Sequence, residues 1–234
     1  MELRNARVLI TGGSSGIGLE TARTLIQAGA RVAIGGRDEA KLRKVAEDIG
    51  ATPIPGDVSR PDEAAHVVSE AIRILGSFNV LINNAGLGHF APLTELRLED
   101  FQSTLATNVL GAFLMAQASA RHFIAQGQGG NIINIASTAA QRGFANGTAY
   151  TASKFALAAM TECWRAELRT HDIRVMQVNP SEVLTEFQAR TGRQQEVNET
   201  KLRPVEIAHA IKAMLEMDDR GFIPELTVWA TNPK

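Results

Sequence analysis

Short runs of aliphatic and β-branched residues alternate along the chain with longer segments of helical periodicity. The runs at residues 8–10, 80–82 and 132–135 are nearly continuously apolar, as expected of strands that helices cover on both faces. Strands are predicted near residues 6–11, 31–35, 51–55, 78–82, 130–136, 172–178 and 225–230. Helices are predicted near residues 16–28, 38–49, 61–76, 98–125, 148–170 and 205–217. This order is typical of the α/β class, with a doubly wound, parallel central sheet flanked by helices.

The length of 234 residues, without an internal repeat or a Pro/Ser-rich linker, predicts a single domain over residues 1–234. Residues 186–203 interrupt the pattern, because they are rich in Gln, Arg, Glu and Thr, and Pro204 then precedes a helix. We interpret the polar stretch as a flap and expect a substrate lid near residues 186–217.

Composition and charge argue against several classes of partner. The formal net charge is −1 and the Lys and Arg positions are scattered, so no nucleic-acid surface is predicted. The chain enters its first strand without a signal-peptide hydrophobic region, and no apolar run approaches the roughly 18 residues that a membrane span requires. We therefore expect a cytoplasmic protein that does not bind membranes.

Cysteine and histidine positions give no sign of a metal centre. The lone Cys163 lies in a predicted helix without a cysteine partner, and we expect it to pack in the core. The five histidines show neither a His-x-x-x-His pair nor a nearby acidic cluster of metal-ligand spacing. No metal is predicted.

A glycine-rich stretch joins the first predicted strand to the first predicted helix. Glycines let the backbone turn tightly and approach a phosphate, and the amides and positive dipole end of the helix then point at the anion. The stretch predicts a nucleotide site built from Gly12, Ser14, Ser15, Gly16, Ile17 and Gly18. Its spacing differs from the common Gly-x-Gly-x-x-Gly pattern, and a simple strand–helix turn is the alternative.

Tyr150, the only tyrosine, begins a Tyr-x-x-x-Lys run that ends at Lys154, and Ser137 lies upstream of it. In a helix over residues 148–170, Tyr150 and Lys154 project from one face. A free phenol has a pKa of about 10, and a neighbouring ammonium is expected to lower the pKa of Tyr150 toward neutrality. Tyr150 would then exchange a proton with a substrate whose oxygen the Ser137 hydroxyl holds. A buried tyrosine beside a solvated lysine is the alternative.

Together these motifs resemble the short-chain dehydrogenase/reductase family over nearly the full length of the chain. The matching elements occur in the family's order and are Thr11-Gly12-x3-Gly16-x-Gly18, Asn83-Asn84-Ala85-Gly86, Asn108, and Ser137 followed by Tyr150-x3-Lys154. The resemblance implies a Rossmann-type fold and an oxidoreductase that transfers a hydride between nicotinamide and a carbonyl or secondary alcohol. It also implies a homotetramer or a homodimer.

The resemblance implies a role for each matching residue. Tyr150 would be the general acid/base, and Lys154 would lower its pKa and hydrogen-bond the nicotinamide ribose. Ser137 would position the substrate oxygen, and Asn108 would hold a water that links Lys154 to solvent. The implied cofactor contacts are Asp57 and Val58 on adenine, Asn84 and Gly86 near the adenosine ribose, and Pro180, Val183 and Thr185 beside the nicotinamide carboxamide.

The end of the second predicted strand bears on the choice between NADP(H) and NAD(H). An NAD-preferring site places an acidic side chain there, but this chain has Gly36 followed by Arg37. Gly36 leaves room for a 2′-phosphate, and Arg37 can pair with it, so NADP(H) is preferred. NAD(H) remains the alternative if Asp38 reaches the ribose, although Asp38 is expected to cap the next helix.

The sequence indicates the type of reaction more clearly than it indicates the substrate. Within the family the pattern fits a 3-oxoacyl thioester reductase, yet Ser181-Glu182 follows Pro180 where a Pro-Gly pair is usual. An NAD(H)-linked alcohol, polyol or hydroxysteroid-type dehydrogenase is the alternative enzyme, and a non-catalytic dinucleotide-binding sensor is the alternative class. His89, Phe90 and Phe144 follow the fourth and fifth strands and are candidates to line the substrate side, although packing under the loops explains them equally well.

Overall fold

A seven-stranded parallel sheet organises the computed structural model, which describes residues 1–189 and 200–232. Its strands are β1 (Arg7–Thr11), β2 (Arg31–Gly36), β3 (Thr52–Pro55), β4 (Val80–Asn83), β5 (Gly130–Ile135), β6 (Ile173–Pro180) and β7 (Glu225–Val228). They lie in the order β3-β2-β1-β4-β5-β6-β7, and each neighbouring pair is parallel. The order reverses between β1 and β4, and open α/β sheets bind ligands in the crevice at the carboxyl ends of such strands.

Helices cover both faces of the sheet. The α-helices are α1 (Gly16–Gln27), α2 (Glu39–Ile49), α3 (Pro61–Leu75), α4 (Leu98–Leu105), α5 (Ala112–Gln126), α6 (Thr148–Leu168), α7 (Glu186–Ala189) and α8 (Pro204–Glu216). Successive residues of β1 point to opposite faces, so Val8 and Ile10 join the apolar cluster beneath α1 and α8, whereas Leu9 joins the cluster beneath α3 and α5. The predicted doubly wound, Rossmann-type α/β fold is confirmed.

The predicted helix over residues 98–125 is interrupted in the structure. Between α4 and α5 the segment Ala106–Gly111 forms a π-helix, in which each hydrogen bond spans one residue more than in an α-helix. Hydrophobic periodicity alone does not reveal such a local widening, and Asn108 lies inside it.

Part of the predicted lid over residues 186–217 is a helix packed in the core. Ile207, Ile211 and Met214 of α8 are fully buried in the cluster shared with α1, so residues 204–216 belong to the core. The helix packs on the sheet because one of its faces is apolar, although a polar stretch precedes it in the sequence. The lid is retained as a prediction for residues 186–203, of which 190–199 lie outside the described residues.

Cys163 is exposed on α6, so its predicted core packing is wrong. The buried positions of α6 include Ala149, Ser153, Leu157 and Thr161, which recur at helical spacing along one face. Cys163 follows Thr161 by two residues, and residues two apart on a helix point in different directions. The sequence placed the cysteine in the right helix but on the wrong face.

Buried amides tie β4, β5 and α6 together. Asn83 Nδ2 donates to Asn134 Oδ1 at 3.0 Å, and Asn134 Nδ2 donates to Thr161 Oγ1 at 2.8 Å. All three side chains are buried. A polar atom among them that lost its partner would stay out of contact with water, and the folded protein would lose stability. These bonds hold β4 and β5 against α6, the helix that carries Tyr150 and Lys154.

Replacing Thr161 tests this polar tie. Thr161→Val keeps the volume but leaves Asn134 Nδ2 without its acceptor, so we expect the free energy of unfolding to fall by about 1–3 kcal/mol. Thr161→Ser keeps the hydroxyl and should lose less than half as much in the same urea titration. Equal losses in the two variants would show that the methyl group contributes as much as the hydrogen bond, and no loss in Thr161→Val would refute the polar tie.

Candidate active site

The glycine-rich loop lies at the carboxyl end of β1 and is closely packed. Gly12 has φ of 66°, in the left-handed region that glycine tolerates best. A Cβ atom on Gly18 would collide with Asn84 Nδ2 and the carbonyl oxygen of Gly12. Glycine is therefore required by packing as well as by backbone angle.

The loop after β4 is bound to the glycine-rich loop by side chains. Asn84 Nδ2 donates to the carbonyl oxygens of Thr11 and Gly12, at 2.9 and 3.0 Å. Thr11 Oγ1 accepts from the backbone amides of Asn84 and Ala85, both at 3.0 Å. The structure thus gives Asn84 a positioning role, and the place near the adenosine ribose that the resemblance implies for it stays a prediction.

The same loop leads into the start of α1, where the sequence predicts an anion site. The helix begins at Gly16, and within the described chain the N-cap Ser15 makes no side-chain capping bond. The amides of the first turn, including Ile17, therefore remain available to a phosphate at the positive end of the helix dipole. The Ser14 Oγ atom lies 3.7 Å from the ideal Cβ position of Gly36. The uncapped amides of this first turn, and a loop whose glycines leave no room for side chains, fit the pyrophosphate of a dinucleotide.

At the end of β2, Arg37 and Asp38 have different surroundings. Asp38 caps α2, since its Oδ1 accepts from the backbone amide of Lys41 at 3.0 Å, and this prediction is confirmed. Arg37 Nη1 lies 3.7 Å from Asp57 Oδ2. Val58, in contrast, is only 8% exposed and packs into the core beside Gly111, so little of its side chain is available to adenine.

Ser137, Tyr150 and Lys154 converge where β5 ends against the first turns of α6. A hydrogen bond from the Ser137 side chain lowers the pKa of Tyr150, and Ser137 Oγ also accepts from the amide of Ala139 at 3.1 Å. Lys154 is 6% exposed, donates from Nζ to the carbonyl oxygen of Ile135 at 2.8 Å, and lies 5.6 Å from the centre of the Tyr150 ring. A phenol, a hydroxyl and an ammonium therefore share one site.

The protonation states differ from the sequence prediction. Burial raises the pKa of Tyr150 above its ordinary value and outweighs the opposing Ser137 hydrogen bond. Burial also lowers the pKa of Lys154 to about 8. The expected depression of the Tyr150 pKa by Lys154 does not occur in the protein alone, because desolvation disfavours the charged form of both groups.

Asn108 lies one layer behind Tyr150 and Lys154 and is 2% exposed. Its Oδ1 accepts from the amide of Leu87 at 2.9 Å, while its Nδ2 donates to the Leu87 carbonyl at 2.8 Å and to Ser153 Oγ at 2.9 Å. An ideal Cβ on Gly86 would lie 3.3 Å from Asn108 Oδ1 and 3.8 Å from Lys154 Nζ. Asn108 thus fixes the loop after β4, and the water relay implied for it stays a prediction.

The segment after β6 reaches the glycine-rich loop at one residue. Thr185 lies 3.2 Å from the ideal Cβ position of Gly16, so it faces the predicted pyrophosphate site. Val183 is buried and bridges to Leu202, and Pro180 pairs with Val228 of β7. Of the three residues implied beside the carboxamide, Thr185 is thus placed against the glycine-rich loop, whereas Pro180 and Val183 are engaged in strand pairing.

Two aromatic rings pack beside the Tyr150 ring, and a third packs on one of them. Phe90 and Phe187 lie with ring centres 5.5 and 5.7 Å from that of Tyr150, and Phe144 lies 6.0 Å from Phe90. Phe90 and Phe144 had been identified as candidates, but Phe187 was missed, because nothing in a polar flap indicates which of its residues folds back. His89, the third candidate, has Nδ1 3.5 Å from Asp100 Oδ1 on α4.

Among residues 1–189 and 200–232, no group of three or more His, Cys, Asp or Glu side chains is arranged to hold a metal ion. Within the same described chain, every helix is too short or too polar to cross a membrane.

The burial of Lys154 predicts an unusual pH dependence of stability. Its pKa is about 8 in the folded protein and 10.5 in an ordinary setting, so between these values the unfolded chain binds more protons and stability rises with pH. Relative to Lys154→Met, wild type should gain about 2 kcal/mol of unfolding free energy between about pH 7 and about pH 9.5. Parallel urea titrations of the two proteins measure this difference, and a difference independent of pH would contradict the lowered pKa.

Comparison with known proteins gives the same assignment by an independent route. Residues 6–196 match the family described as short chain dehydrogenase. The chain is 35% identical over 223 residues to L-xylulose reductase of Caenorhabditis elegans, covering 93% of this chain and 86% of the relative.

Solved structures agree in fold. A 3-ketoacyl-(acyl-carrier-protein) reductase from Brucella melitensis, complexed with NADH, has a TM-score of 0.89 at 29% identity and covers 96% of both chains. An alcohol dehydrogenase from the archaeon Thermococcus sibiricus, complexed with 5-hydroxy-NADP, has a TM-score of 0.87 at 27% identity, covering 97% of this chain and 98% of the other. The chain belongs to the short-chain dehydrogenase/reductase family of NAD(P)-dependent oxidoreductases, which act on alcohol and carbonyl groups.

Proposed function

We propose that this chain is an NADP(H)-dependent reductase that converts a carbonyl to a secondary alcohol, with a 3-oxoacyl thioester as the substrate class. The observation that carries the proposal is the convergence of the Tyr150 phenol, the Ser137 hydroxyl and the buried Lys154 ammonium at one edge of the sheet. The reduced nicotinamide, when bound, supplies the hydride that the carbonyl carbon accepts.

The chain's own residues manage the oxygen and its proton. Ser137 donates a hydrogen bond to the carbonyl oxygen, which becomes more negative as the carbon is reduced. Tyr150 Oη then gives its proton to that oxygen and becomes a phenolate. The Tyr150 phenol holds its proton at neutral pH, because an ordinary phenol has a pKa of about 10 and burial raises the pKa of Tyr150 further. Lys154, charged below its pKa of about 8, stabilises the phenolate that remains.

The preference for NADP(H) rests on the end of β2. Gly36 brings no carboxylate to the adenosine ribose, and Asp38 is engaged in capping α2. The 3.7 Å separation of Arg37 from Asp57 is longer than a hydrogen bond, so the guanidinium can form shorter bonds to a 2′-phosphate. NAD(H) is the alternative cofactor, and the two solved structures carry one dinucleotide of each kind.

The thioester proposal is supported by the likeness to the 3-ketoacyl-(acyl-carrier-protein) reductase and by the overall motif pattern. Glu182, which departs from that pattern, is ion-paired with Lys201 at 2.9 Å, so its charge is partly neutralised. The name of the L-xylulose reductase favours a second candidate, a dehydrogenase of polyols or sugars, for which NAD(H) is the cofactor that the sequence left as the alternative. A cytoplasmic location and a homodimer or homotetramer, both expected from the sequence, remain predictions.

Tyr150→Phe tests catalysis against simple dinucleotide binding. Loss of the donated proton should lower the turnover of NADPH with a short 3-oxoacyl thioester by about 100-fold or more. Phenylalanine preserves the ring, so the dissociation constant for NADPH, measured by fluorescence titration, should change little. A sensor protein would instead show binding without turnover in both wild type and variant. Undiminished turnover in Tyr150→Phe would refute the proposed role of the tyrosine.

Arg37→Ala tests the cofactor preference. Removing a charge-assisted hydrogen bond worth about 1.5–3 kcal/mol should lower kcat/KM for NADPH by about 10- to 100-fold. The value for NADH, which lacks the 2′-phosphate, should stay within about threefold of wild type, because no such bond is lost. Arg43→Ala is the matched control, since Arg43 lies on α2 and is exposed and paired with Glu39. Equal losses with NADPH and NADH would count against NADP(H) preference.

A further inference from the structure

Phenylalanines from three separate segments pack near Tyr150: Phe90 and Phe187 contact the Tyr150 ring, and Phe144 contacts Phe90. Phe90 follows β4, Phe144 follows β5 and Phe187 lies in α7, after β6. The Phe90 and Phe187 rings are tilted by 53° and 52° to the Tyr150 ring, and Phe144 is tilted by 33° to Phe90. We call Phe90, Phe144 and Phe187 the ring wall.

The backbone around the ring wall is shaped to hold it. An ideal Cβ on Gly88 would lie 3.0 Å from Phe187 Cζ and 3.1 Å from the Phe90 ring. The equivalent atom on Gly147 would lie 2.7 Å from the Phe144 ring, closer than real Cβ contacts allow. Glycine at these two positions lets the rings pack directly on the main chain, so the rings are held in place by close contact.

Bonds between loops fix the relative positions of the three rings. The amide of Ala91 donates to the carbonyl oxygen of Asn146 at 3.1 Å, which joins the loop of Phe90 to that of Phe144. Lys41 Nζ lies 2.6 Å from Glu186 Oε2, which joins α2 to the helix that carries Phe187. Phe187 is thus held against Tyr150 from the side of the predicted cofactor site.

We infer that the ring wall makes this enzyme select carbonyl substrates with a ring-sized apolar substituent on the carbonyl carbon, and reject polyhydroxylated ketones. The inference rests on the proposed reductase function and specifies which carbonyl compounds, 3-oxoacyl thioesters included, the site selects: those whose carbonyl carbon carries such a substituent. A carbonyl oxygen bound to Ser137 and Tyr150 brings its substituents close to Phe90 and Phe187. Phenyl edges and faces favour apolar and aromatic groups, whereas sugar hydroxyls placed there lose their water without gaining a partner.

Competing ketones measure this selectivity directly. With NADPH, we expect kcat/KM for acetophenone to exceed that for a ketopentose by about 10- to 200-fold, the range one good apolar contact supplies. Hydroxyacetone, too small to span to the rings, serves as the reference carbonyl. Phe187→Ala should lower the acetophenone-to-ketopentose ratio about 10-fold or more, and hydroxyacetone reports the loss of turnover that all substrates share.

Two further variants separate selectivity from damage to the fold. Phe187→Leu keeps apolar volume and should retain most of the ratio, whereas Phe187→Asn should bring the ratio close to one. Leu93→Ala is the control, because Leu93 lies in the same loop as Phe90 and is 77% exposed. A ketopentose reduced as efficiently as acetophenone, or a ratio that Phe187→Ala leaves unchanged while hydroxyacetone is still reduced, would overturn the inference alone. Failure to reduce any carbonyl, thioesters included, would overturn the proposed function and the inference with it.

Discussion

A buried ammonium is the constraint around which the active site is arranged. Lys154 is 6% exposed, and its charge is kept away from water at a cost that its lowered pKa of about 8 expresses. Its Nζ atom donates to the carbonyl oxygen at the end of β5, and Gly86 leaves room beside it. The hydrogen-bonded side chains of Asn108 and Ser153 lie behind this site. The protein therefore sacrifices stability at neutral pH to hold a cation near Tyr150, where a phenolate must form.

The order of strands explains why distant segments share this site. In a parallel sheet every strand ends at the same edge, so the residues that follow β1, β4, β5 and β6 meet there without any local relation in sequence. The side-chain amide of Asn84 and the hydroxyl of Thr11 then lock two of these loops together. Their hydrogen bonds convert proximity at the sheet edge into fixed geometry.

Much of this arrangement can be predicted from sequence, because it depends on local pattern. The strand runs, the glycine-rich loop and the one-turn spacing of Tyr150 and Lys154 each carry a short-range signal, and Asp38 caps α2 as its position suggested. What could not be predicted depends on three-dimensional surroundings. Burial reverses the expected direction of the Tyr150 pKa, and the π-helical segment that holds Asn108 leaves no trace in hydrophobic periodicity.

Phe187 is the clearest residue that only the folded chain identifies, and it also connects the two halves of the site. Thr185 and Glu186, its neighbours, contact the glycine-rich loop and Lys41 on the cofactor side, while its own ring packs on Tyr150 on the substrate side. Residues 185–187 therefore lie between the predicted cofactor site and the proposed ring wall, with contacts toward both. If the ring wall selects the substrate as proposed, this short segment links that selection to the cofactor side, and it does so outside the shared catalytic residues of the family.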